Sequence, residues 1–446
     1  MVDVLILYEH KNRELENASL LATELEYRGY KVKIRCIYSL TKYFIKAKVL
    51  IVPHLYNDSQ VIAFGKNFWM NNSAIIDMQY EQVLRQNQRE GIHNPKGQAV
   101  YAQHTAWGQA QIDAYLSHGI ARENTHIIGH VAMDLMRPEF DECFISREMI
   151  AKEFGLVDYS KWVLFISTFA YKEKTKEELE DCERNAPGSG VIRELSINAQ
   201  KTVVEWLVQS AEKHPDTVYI YRRHPAERED PELQELERRI PNFKCIDKYS
   251  IRQWVRVADN FYTWYSTSIA DTYFGNKMCY ILRPEPIPEE FELEIMQGAD
   301  VLKTYEEFEC SLERKEDHFP IADEMMKYYY GNDRNNIEEF AFIKLAKLCE
   351  KVMFDESMHY NYEYGTSRWD MYNYKSPIMI LESYILTIIF EVCTFIKFPI
   401  PTKWHKKKLF KDIVYYGQEG YKASRDVTRY KKKFKKFVTN LHERDQ

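Results

Sequence analysis

The chain has 446 residues, too many for one ordinary hydrophobic core, so two domains with an appendage are expected. A formal net charge of −6 excludes a generally basic nucleic-acid binder, and no nucleic-acid partner is expected. The charge is uneven, because from Lys403 onward fourteen Lys and Arg stand against five Asp and Glu. That tail has a net charge of +9, which leaves −15 on the first 402 residues.

The first ten residues, MVDVLILYEH, place an acid inside a short apolar run and lack a basic leader. This pattern predicts a first β-strand rather than a signal peptide. Eight cysteines without a CxxC motif predict reduced thiols rather than disulfides or a zinc site. Together these features predict a cytoplasmic protein.

Short β-rich runs alternate with helical patterns along the first 130 residues, which is typical of a doubly wound parallel sheet. In the helix after the first strand, apolar residues recur at helical spacing up to Gly29, a residue suited to end a helix. The strands are predicted at 2–9, 30–37, 49–55, 73–78, 99–104 and 126–129.

A second series of strands follows a polar segment around residues 136–161, and a long helix is predicted over 191–213. These strands are predicted at 162–168, 217–221, 243–247, 261–265 and 279–282. Two such domains would face each other across a cleft at the carboxyl ends of both sheets, where open α/β proteins bind ligands. The predicted division is 1–140, a linker at 141–160, a second domain at 161–335, an aromatic and helical crossover region at 336–402, and a basic tail at 403–446.

One strand of the second series ends in Arg222-Arg223-His224-Pro225. Proline has no N–H and ends the strand pairing, and it restricts His224 to an extended conformation. An imidazole held beside two guanidiniums predicts an anion site.

A later strand ends in Ser266-Thr267-Ser268, just before a predicted helix at 269–274. Hydroxyl groups and free N–H groups at a helix N-terminus bind phosphate. The alternative is that Ser266 only caps the helix and that His224 is an ordinary surface histidine. Because both motifs follow strands of the same sheet, the pattern favours a phosphate site.

This order of motifs resembles the phosphate site of GT-B glycosyltransferases that use CMP-activated sugars, and also that of CDP-glycerol and CDP-ribitol polymer transferases. The amino-terminal half resembles bacterial surface carbohydrate biosynthesis proteins in the run 8–16 and in the segment from Trp107-Gly108 to Leu135. It departs from that family where His130-Val131-Ala132 replaces an expected Asn-Pro-Arg, and at 77–81, where an Asp-Glu-Glu run is usual. Both departures lie on the acceptor side.

The resemblance implies a GT-B fold of two Rossmann-like domains, acceptor side first and nucleotide donor second, with a helical basic extension. It implies transfer of a sialic-acid-like or Kdo-like sugar from a CMP-activated donor to a surface polysaccharide or a lipid-linked acceptor. A CDP-glycerol or CDP-ribitol type phosphotransferase and a non-catalytic nucleotide or saccharide binder remain alternatives. Nucleotide-sugar epimerases share the same fold.

Cleavage of a sugar–phosphate bond leaves negative charge on the departing nucleotide, so hydrogen-bond donors aimed at the phosphate stabilise the transition state. His224 is the predicted catalytic donor, and Glu285 is expected to accept hydrogen bonds from a ribose. No Asp-x-Asp motif occupies a strand end, so no metal ion or other cofactor is expected. The predicted donor site comprises Arg222, Arg223, His224, Pro225, Ser266, Thr267, Ser268, Thr168 and Glu285.

An inverting transfer needs a base for the acceptor hydroxyl, and the first domain offers several acids. Glu14 is the first choice, although an acid in a first helical turn is also explained by the helix dipole. Glu9 comes next, followed by Asp77 and Glu81. The other predicted acceptor-side residues are His10, Arg13 and His104, and His104 is expected to be a cleft or core histidine rather than the base.

The segment 378–398 is apolar but contains acids, which predicts an amphipathic helix on the first domain or at a membrane surface rather than a spanning helix. The basic tail is predicted to bind an anionic membrane, with its lysines on phosphates and Trp404, Phe434 and Phe437 inserted at headgroup level. The alternative is a solvated helix, or one neutralised by the acidic body. The expected location is peripheral, at the inner face of the cytoplasmic membrane.

Overall fold

The structure is a computed structural model that describes residues 1–37, 39–67, 70–85, 93–185, 187–224, 227, 229–314, 318–331, 339–365 and 408–444. The chain forms two compact units. The first comprises residues 1–82, 94–131 and 338–446, and the second comprises residues 83–93 and 132–337.

The division between the units falls at residues 131 and 132, ahead of the predicted linker at 141–160. That segment belongs to the second unit because its helix is anchored there. The Arg147 guanidinium binds both carboxylate oxygens of Asp259 at 2.8 and 2.9 Å and lies over the Trp162 ring.

The first unit contains a six-stranded parallel sheet. Its strands are β1 (Val2–Tyr8), β2 (Val32–Cys36), β3 (Ala47–Val52), β4 (Ile75–Asp77), β5 (Gln103–Ala106) and β6 (Thr125–Ile127). Their order is β2-β1-β3-β4-β5-β6 and every pairing is parallel. Most strand residues are buried, as expected for a parallel sheet covered by helices.

Helices pack around this sheet. The first helix ends just before Gly29, whose φ of +93° suits glycine. The helices assigned to this unit are α1 (Lys11–Tyr27), α2 (Asp58–Gly65), α3 (Gln109–Ser117), α4 (Val131–Asp134, at the boundary), α13 (Ala341–Phe354) and α14 (Lys408–Arg444).

The second unit contains another six-stranded parallel sheet. Its strands are β7 (Lys161–Ile166), β8 (Thr217–Arg222), β9 (Phe243–Cys245), β10 (Asn260–Thr263), β11 (Cys279–Leu282) and β12 (Val301–Leu302). Their order is β12-β11-β10-β7-β8-β9. The helices are α5 (Arg147–Phe154), α6 (Lys176–Asn185), α7 (Ser189–Lys213), α8 (Pro231–Arg239), α9 (Ile251–Val255), α10 (Ile269–Phe274), α11 (Tyr305–Ser311) and α12 (Asp323–Tyr330). The predicted pair of doubly wound sheets is confirmed.

Beyond residue 300 the chain continues with helices α12 and α13, the second of which lies in the predicted aromatic and helical crossover region. Tyr362 and Tyr364 are buried in the core of the first unit, and the Tyr364 hydroxyl binds the Asn72 carbonyl. The apolar segment predicted at 378–398 lies outside the described residues.

The carboxyl-terminal helix α14 is present and packs on α1. Phe434 is 2% exposed, and the Phe437 ring lies edge-on to Phe340 with centroids 5.8 Å apart. The predicted insertion of Phe434 into a membrane is therefore wrong, because this ring is buried within the first unit. Trp404 lies outside the described residues. Within the described ranges, no helix is long and apolar enough to cross a bilayer.

Candidate functional site

Arg222, the last residue of β8, is buried at the carboxyl end of the second sheet. One terminal nitrogen, Nη2, donates to the Tyr249 carbonyl at 2.9 Å, whereas Nε is buried without a hydrogen-bond partner among the described residues. Burial lowers the pKa of Arg222 to about 10, so the group is still charged at neutral pH. A buried cation with an unused donor favours an anionic ligand nearby.

A second buried guanidinium lies close by. Arg252 is 4% exposed, and its Nη1 is 3.9 Å from the carboxylate of Asp271, which is also buried. Burial has the largest effect on the pKa of Arg222. Among the smaller effects, the Asp271 charge raises this pKa and the Arg252 charge lowers it. Two buried cations near one buried acid create positive potential at this end of the sheet. The sequence analysis missed Arg252 because it lies inside the apolar-looking helix α9.

The next two residues differ in exposure. Arg223 donates to the Asp247 carboxylate at 2.6 Å, so its charge is already paired. His224 is exposed, and its carbonyl accepts the Glu227 N–H at 2.9 Å, which fixes the turn after β8. Pro225 lies outside the described residues.

Glu227 connects the ends of β7 and β8 and was not predicted. Its carboxylate accepts hydrogen bonds from the Ser167 hydroxyl at 2.6 Å and the Phe169 N–H at 2.7 Å. Ser167 also contacts the Tyr221 hydroxyl at 2.7 Å, and burial raises the pKa of Tyr221. This network holds Thr168, whose Oγ1 is buried without a partner in the described part of the chain.

After β10, the Ser266 hydroxyl accepts the Ser268 N–H at 3.2 Å and so forms a turn. The N-cap of the following six-residue helix α10 is Ser268 rather than Ser266, and its side chain makes no capping hydrogen bond. Thr267 is exposed and Ser268 is half-buried. Of the three hydroxyl residues, Thr267 and Ser268 are therefore better exposed to a ligand than Ser266.

Glu285, predicted to bind a ribose, follows β11 and is half-buried. Asn198 of α7 donates to its carboxylate at 3.4 Å. The neighbouring Arg283 is buried in a bidentate pair with Glu292 at 2.9 and 3.0 Å and lies 5.8 Å from the Trp264 ring centroid. Arg222 ends β8 and Glu285 follows β11, so both residues lie at the carboxyl end of the same parallel sheet.

In the first unit, Glu14 has no exposed surface. Its Oε2 accepts the Glu9 N–H at 2.6 Å and its Oε1 accepts Nη2 of Arg13 at 2.8 Å. Arg13 reaches Glu81 as well, at 3.1 Å. Glu14 therefore stabilises the turn between β1 and α1, a geometry that favours a positioning role over proton transfer.

Glu9 directly follows β1 and contacts two histidines. Its Oε2 lies 3.3 Å from Nε2 of His54 and 3.8 Å from Nε2 of His10. Burial lowers the pKa of His54, but Glu9 outweighs burial and the pKa lies above its ordinary value. The Tyr56 ring stacks on His54 with centroids 4.9 Å apart. The sequence analysis missed His54, although Pro53-His54 follows β3 much as His224-Pro225 follows β8.

Asp77 and His104 form a buried pair and are not accessible acceptor-side groups as predicted. Both side chains have no exposed surface, and the His104 Nδ1 lies 2.9 Å from the Asp77 carboxylate. The other ring nitrogen, Nε2, lies 3.0 Å from the Ala99 carbonyl. This pair joins β4 to β5 inside the unit. His130, where the sequence departs from the family pattern, stacks on Trp107 with ring centroids 3.9 Å apart.

No protein-family model matches the chain, and no curated protein matches it. Solved structures do. The wall teichoic acid polymerase TagF, in a structure soaked with CDPG, matches with a TM-score of 0.51 at 11% identity over 80% of this chain and 90% of that chain.

A second TagF structure matches with a TM-score of 0.51 at 11% identity over 79% of this chain and 90% of that chain. A putative UDP-N-acetylglucosamine 2-epimerase from Listeria monocytogenes matches with a TM-score of 0.48 at 14% identity, over 80% of this chain and 97% of that chain. The chain has the GT-B fold.

Proposed function

We propose that the protein is a GT-B transferase that moves a sugar from a CMP-activated donor to a surface polysaccharide or a lipid-linked acceptor. The main support for this proposal is the pair of buried guanidiniums, Arg222 and Arg252, at the carboxyl end of β8, next to the exposed His224. Parallel α/β sheets bind ligands at this edge. A nucleotide phosphate supplies the anion that such a cluster favours.

In the proposed transfer, the bond between the anomeric carbon and the phosphate oxygen breaks, and its electron pair stays on CMP. The charge of Arg222 is fixed before the reaction, so it stabilises the developing negative charge without reorganisation. His224 supplies a hydrogen bond from the surface of the site. Among the described residues no group of three His, Cys, Asp or Glu side chains is arranged to hold a metal ion, and metal independence stays a prediction.

The acceptor hydroxyl oxygen forms the new bond, and its proton passes to a base for which the first unit offers Glu9. The Glu9 side chain is 20% exposed, whereas Glu14 is fully buried and engaged by Arg13 and a backbone N–H. A base must reach the proton that it removes. We therefore assign proton removal to Glu9 and positioning of Glu9 to Glu14 and His54.

A second candidate is a CDP-polyol phosphotransferase, which the likeness to TagF soaked with CDPG favours. In that reaction the acceptor hydroxyl oxygen bonds to the β-phosphorus of the donor, the bond from that phosphorus to the bridging oxygen breaks with its electron pair staying on CMP, and a polyol phosphate is transferred. CMP leaves in both reactions, so CMP release does not distinguish them. The two reactions differ in whether phosphorus is transferred to the product.

The test incubates the protein with an acceptor extract and, in turn, a CMP-activated 2-keto-3-deoxy sugar, CDP-glycerol, CDP-ribitol and UDP-N-acetylglucosamine. The proposal predicts CMP release from the CMP-sugar and a product that contains new sugar but no new phosphorus by phosphorus NMR. Phosphorus in the product would favour the second candidate instead. Isomerisation of the UDP-sugar, or no turnover of any donor, would contradict both.

A further inference from the structure

The described part of helix α14 presents two different faces. One face packs on the first unit through Phe434 and Val438, which are 2% and 1% exposed. Phe437 and Tyr430 lie on the same side, and burial raises the pKa of Tyr430 to about 12. The aromatic residues of this segment are therefore engaged by the protein.

Polar contacts fix the same face. His442 stacks on Tyr27 with centroids 4.5 Å apart, and its Nε2 lies 3.0 Å from the buried Glu24 carboxylate. Lys431 pairs with Glu26 at 2.7 Å. The acidic body thus neutralises part of the tail on the docked side, as one interpretation of the sequence expected.

The opposite face is a stripe of exposed residues with helical spacing, and its cations span about 16 Å. We call it the basic stripe, and its members are Arg425, Arg429, Lys432, Lys435 and Lys436. Asp426 borders the stripe, where it pairs with Arg429 at 3.1 Å and also with Lys11. Between residues 425 and 443, where the side chains are described, the exposed acid is Glu443, beyond the end of the stripe.

We propose that the basic stripe binds an anionic lipid surface by electrostatic attraction alone, with α14 kept docked on α1. A band of exposed cations along one side of a convex helix can approach a plane of anionic headgroups, and each Lys or Arg near such a surface adds attraction. Single-stranded nucleic acid also needs aromatic rings for base stacking, and Tyr430, Phe434 and Phe437 face the protein. The observations therefore favour lipid over nucleic acid. This inference does not depend on the proposed reaction.

The experiment measures co-sedimentation of the full chain with vesicles of phosphatidylcholine alone and of phosphatidylcholine with phosphatidylglycerol. The test variant is Lys432→Gln/Lys435→Gln/Lys436→Gln. The matched control, Lys152→Gln/Lys176→Gln/Lys201→Gln, removes the same charge from exposed lysines outside the tail. Equal thermal unfolding of all three proteins verifies that the fold and the docked helix are intact.

We expect the full chain and the control to bind anionic vesicles, and about 0.5 M salt to release them. The stripe variant should partition roughly 100-fold more weakly, since three cations near the lipid surface are lost. Three results would overturn the proposal: equal binding to neutral and anionic vesicles, equal losses in the two triple variants, or a stripe variant that loses affinity for a single-stranded oligonucleotide but not for vesicles.

Discussion

The Glu9 carboxylate lies 3.3 Å from Nε2 of His54, at the carboxyl ends of two adjacent parallel strands, and the buried Glu14 binds the Glu9 backbone N–H at 2.6 Å. The backbone and side chain of Glu9 are thus each held by a different residue. In the proposed reaction, Glu9 is the base and Glu14 and His54 orient it, so variants of Glu9 and Glu14 should have different effects.

Glu9→Gln should bind cytidine nucleotide as the wild type does but lose about 100-fold or more in turnover, because the amide cannot accept the acceptor's proton. Calorimetric titration with CMP, beside a CMP-release assay, measures both effects. Glu123→Gln, at an exposed acid of the same unit, is the control and should behave as wild type. Unchanged turnover in Glu9→Gln would exclude Glu9 as the base.

Glu14→Gln should act mainly on stability. Glu14 is buried, but the Arg13 side chain is 37% exposed and keeps Glu81 as a partner, so loss of the Glu14 charge costs about 1 to 3 kcal/mol of unfolding free energy. Urea denaturation measures this loss. A Glu14→Gln protein that is as stable as the wild type but has no turnover would instead assign the proton transfer to Glu14.

Two histidines of the first unit should give opposite pH dependence of stability. The pKa of His54 is raised in the folded protein, so its stabilising contribution is present below about pH 6.5 and is lost as the pH rises through the folded pKa. Burial lowers the pKa of His126 to about 4, so its contribution is present above about pH 6.5 and is lost as the pH falls towards that value.

Unfolding free energies of the wild type, His54→Gln and His126→Gln, measured by denaturant titration across this range, test the signs. The difference between wild type and His54→Gln should shrink at high pH, and that between wild type and His126→Gln should shrink at low pH. If the difference in unfolding free energy between wild type and variant changed with pH in the same direction for both histidines, the assigned environments would be contradicted.

Glu227→Gln should loosen the connection between β7 and β8. Its carboxylate accepts from Ser167 and from the Phe169 N–H, and a disturbed buried acceptor costs about 1 to 3 kcal/mol. We expect that loss of unfolding free energy together with weaker CMP binding. Glu229→Gln, at an exposed acid two residues away, is the matched control. A Glu227→Gln protein as stable as the wild type would show that these hydrogen bonds do not stabilise the connection between β7 and β8.

His224→Ala should leave stability nearly unchanged, since the side chain is exposed. It should cost about 2 to 4 kcal/mol of transition-state stabilisation, as the loss of one charge-stabilising donor does. The ratio of kcat/KM between wild type and variant gives this figure. Near-normal turnover would mean that His224 has no part in the reaction.

The two sheets were predictable because most of their strands are continuous apolar runs between polar turns, as in Lys161–Ile166. Strand β12 has two residues and gives too short a signal. Glu227 stands within a burst of charged residues, where the sequence cannot distinguish a buried acid from solvated ones. His54 was absorbed into a predicted strand at 49–55, whereas β3 ends at Val52 and leaves His54 at the sheet edge. The burial of Glu227 and the position of His54 depend on contacts between residues that are distant in the sequence.

The central claim is that Arg222 and Arg252 form a phosphate site for a cytidine nucleotide, and calorimetric titration with CMP tests it most directly. The controls are thermal unfolding of every variant and Arg239→Gln, which removes an exposed arginine of the same unit. The account predicts that the wild type and Arg239→Gln bind CMP, and that a folded Arg252→Gln protein binds it about tenfold or more weakly, as expected for a lost charged hydrogen bond. Absence of CMP binding to the wild type, or equal affinity in a folded Arg252→Gln protein, would contradict the account.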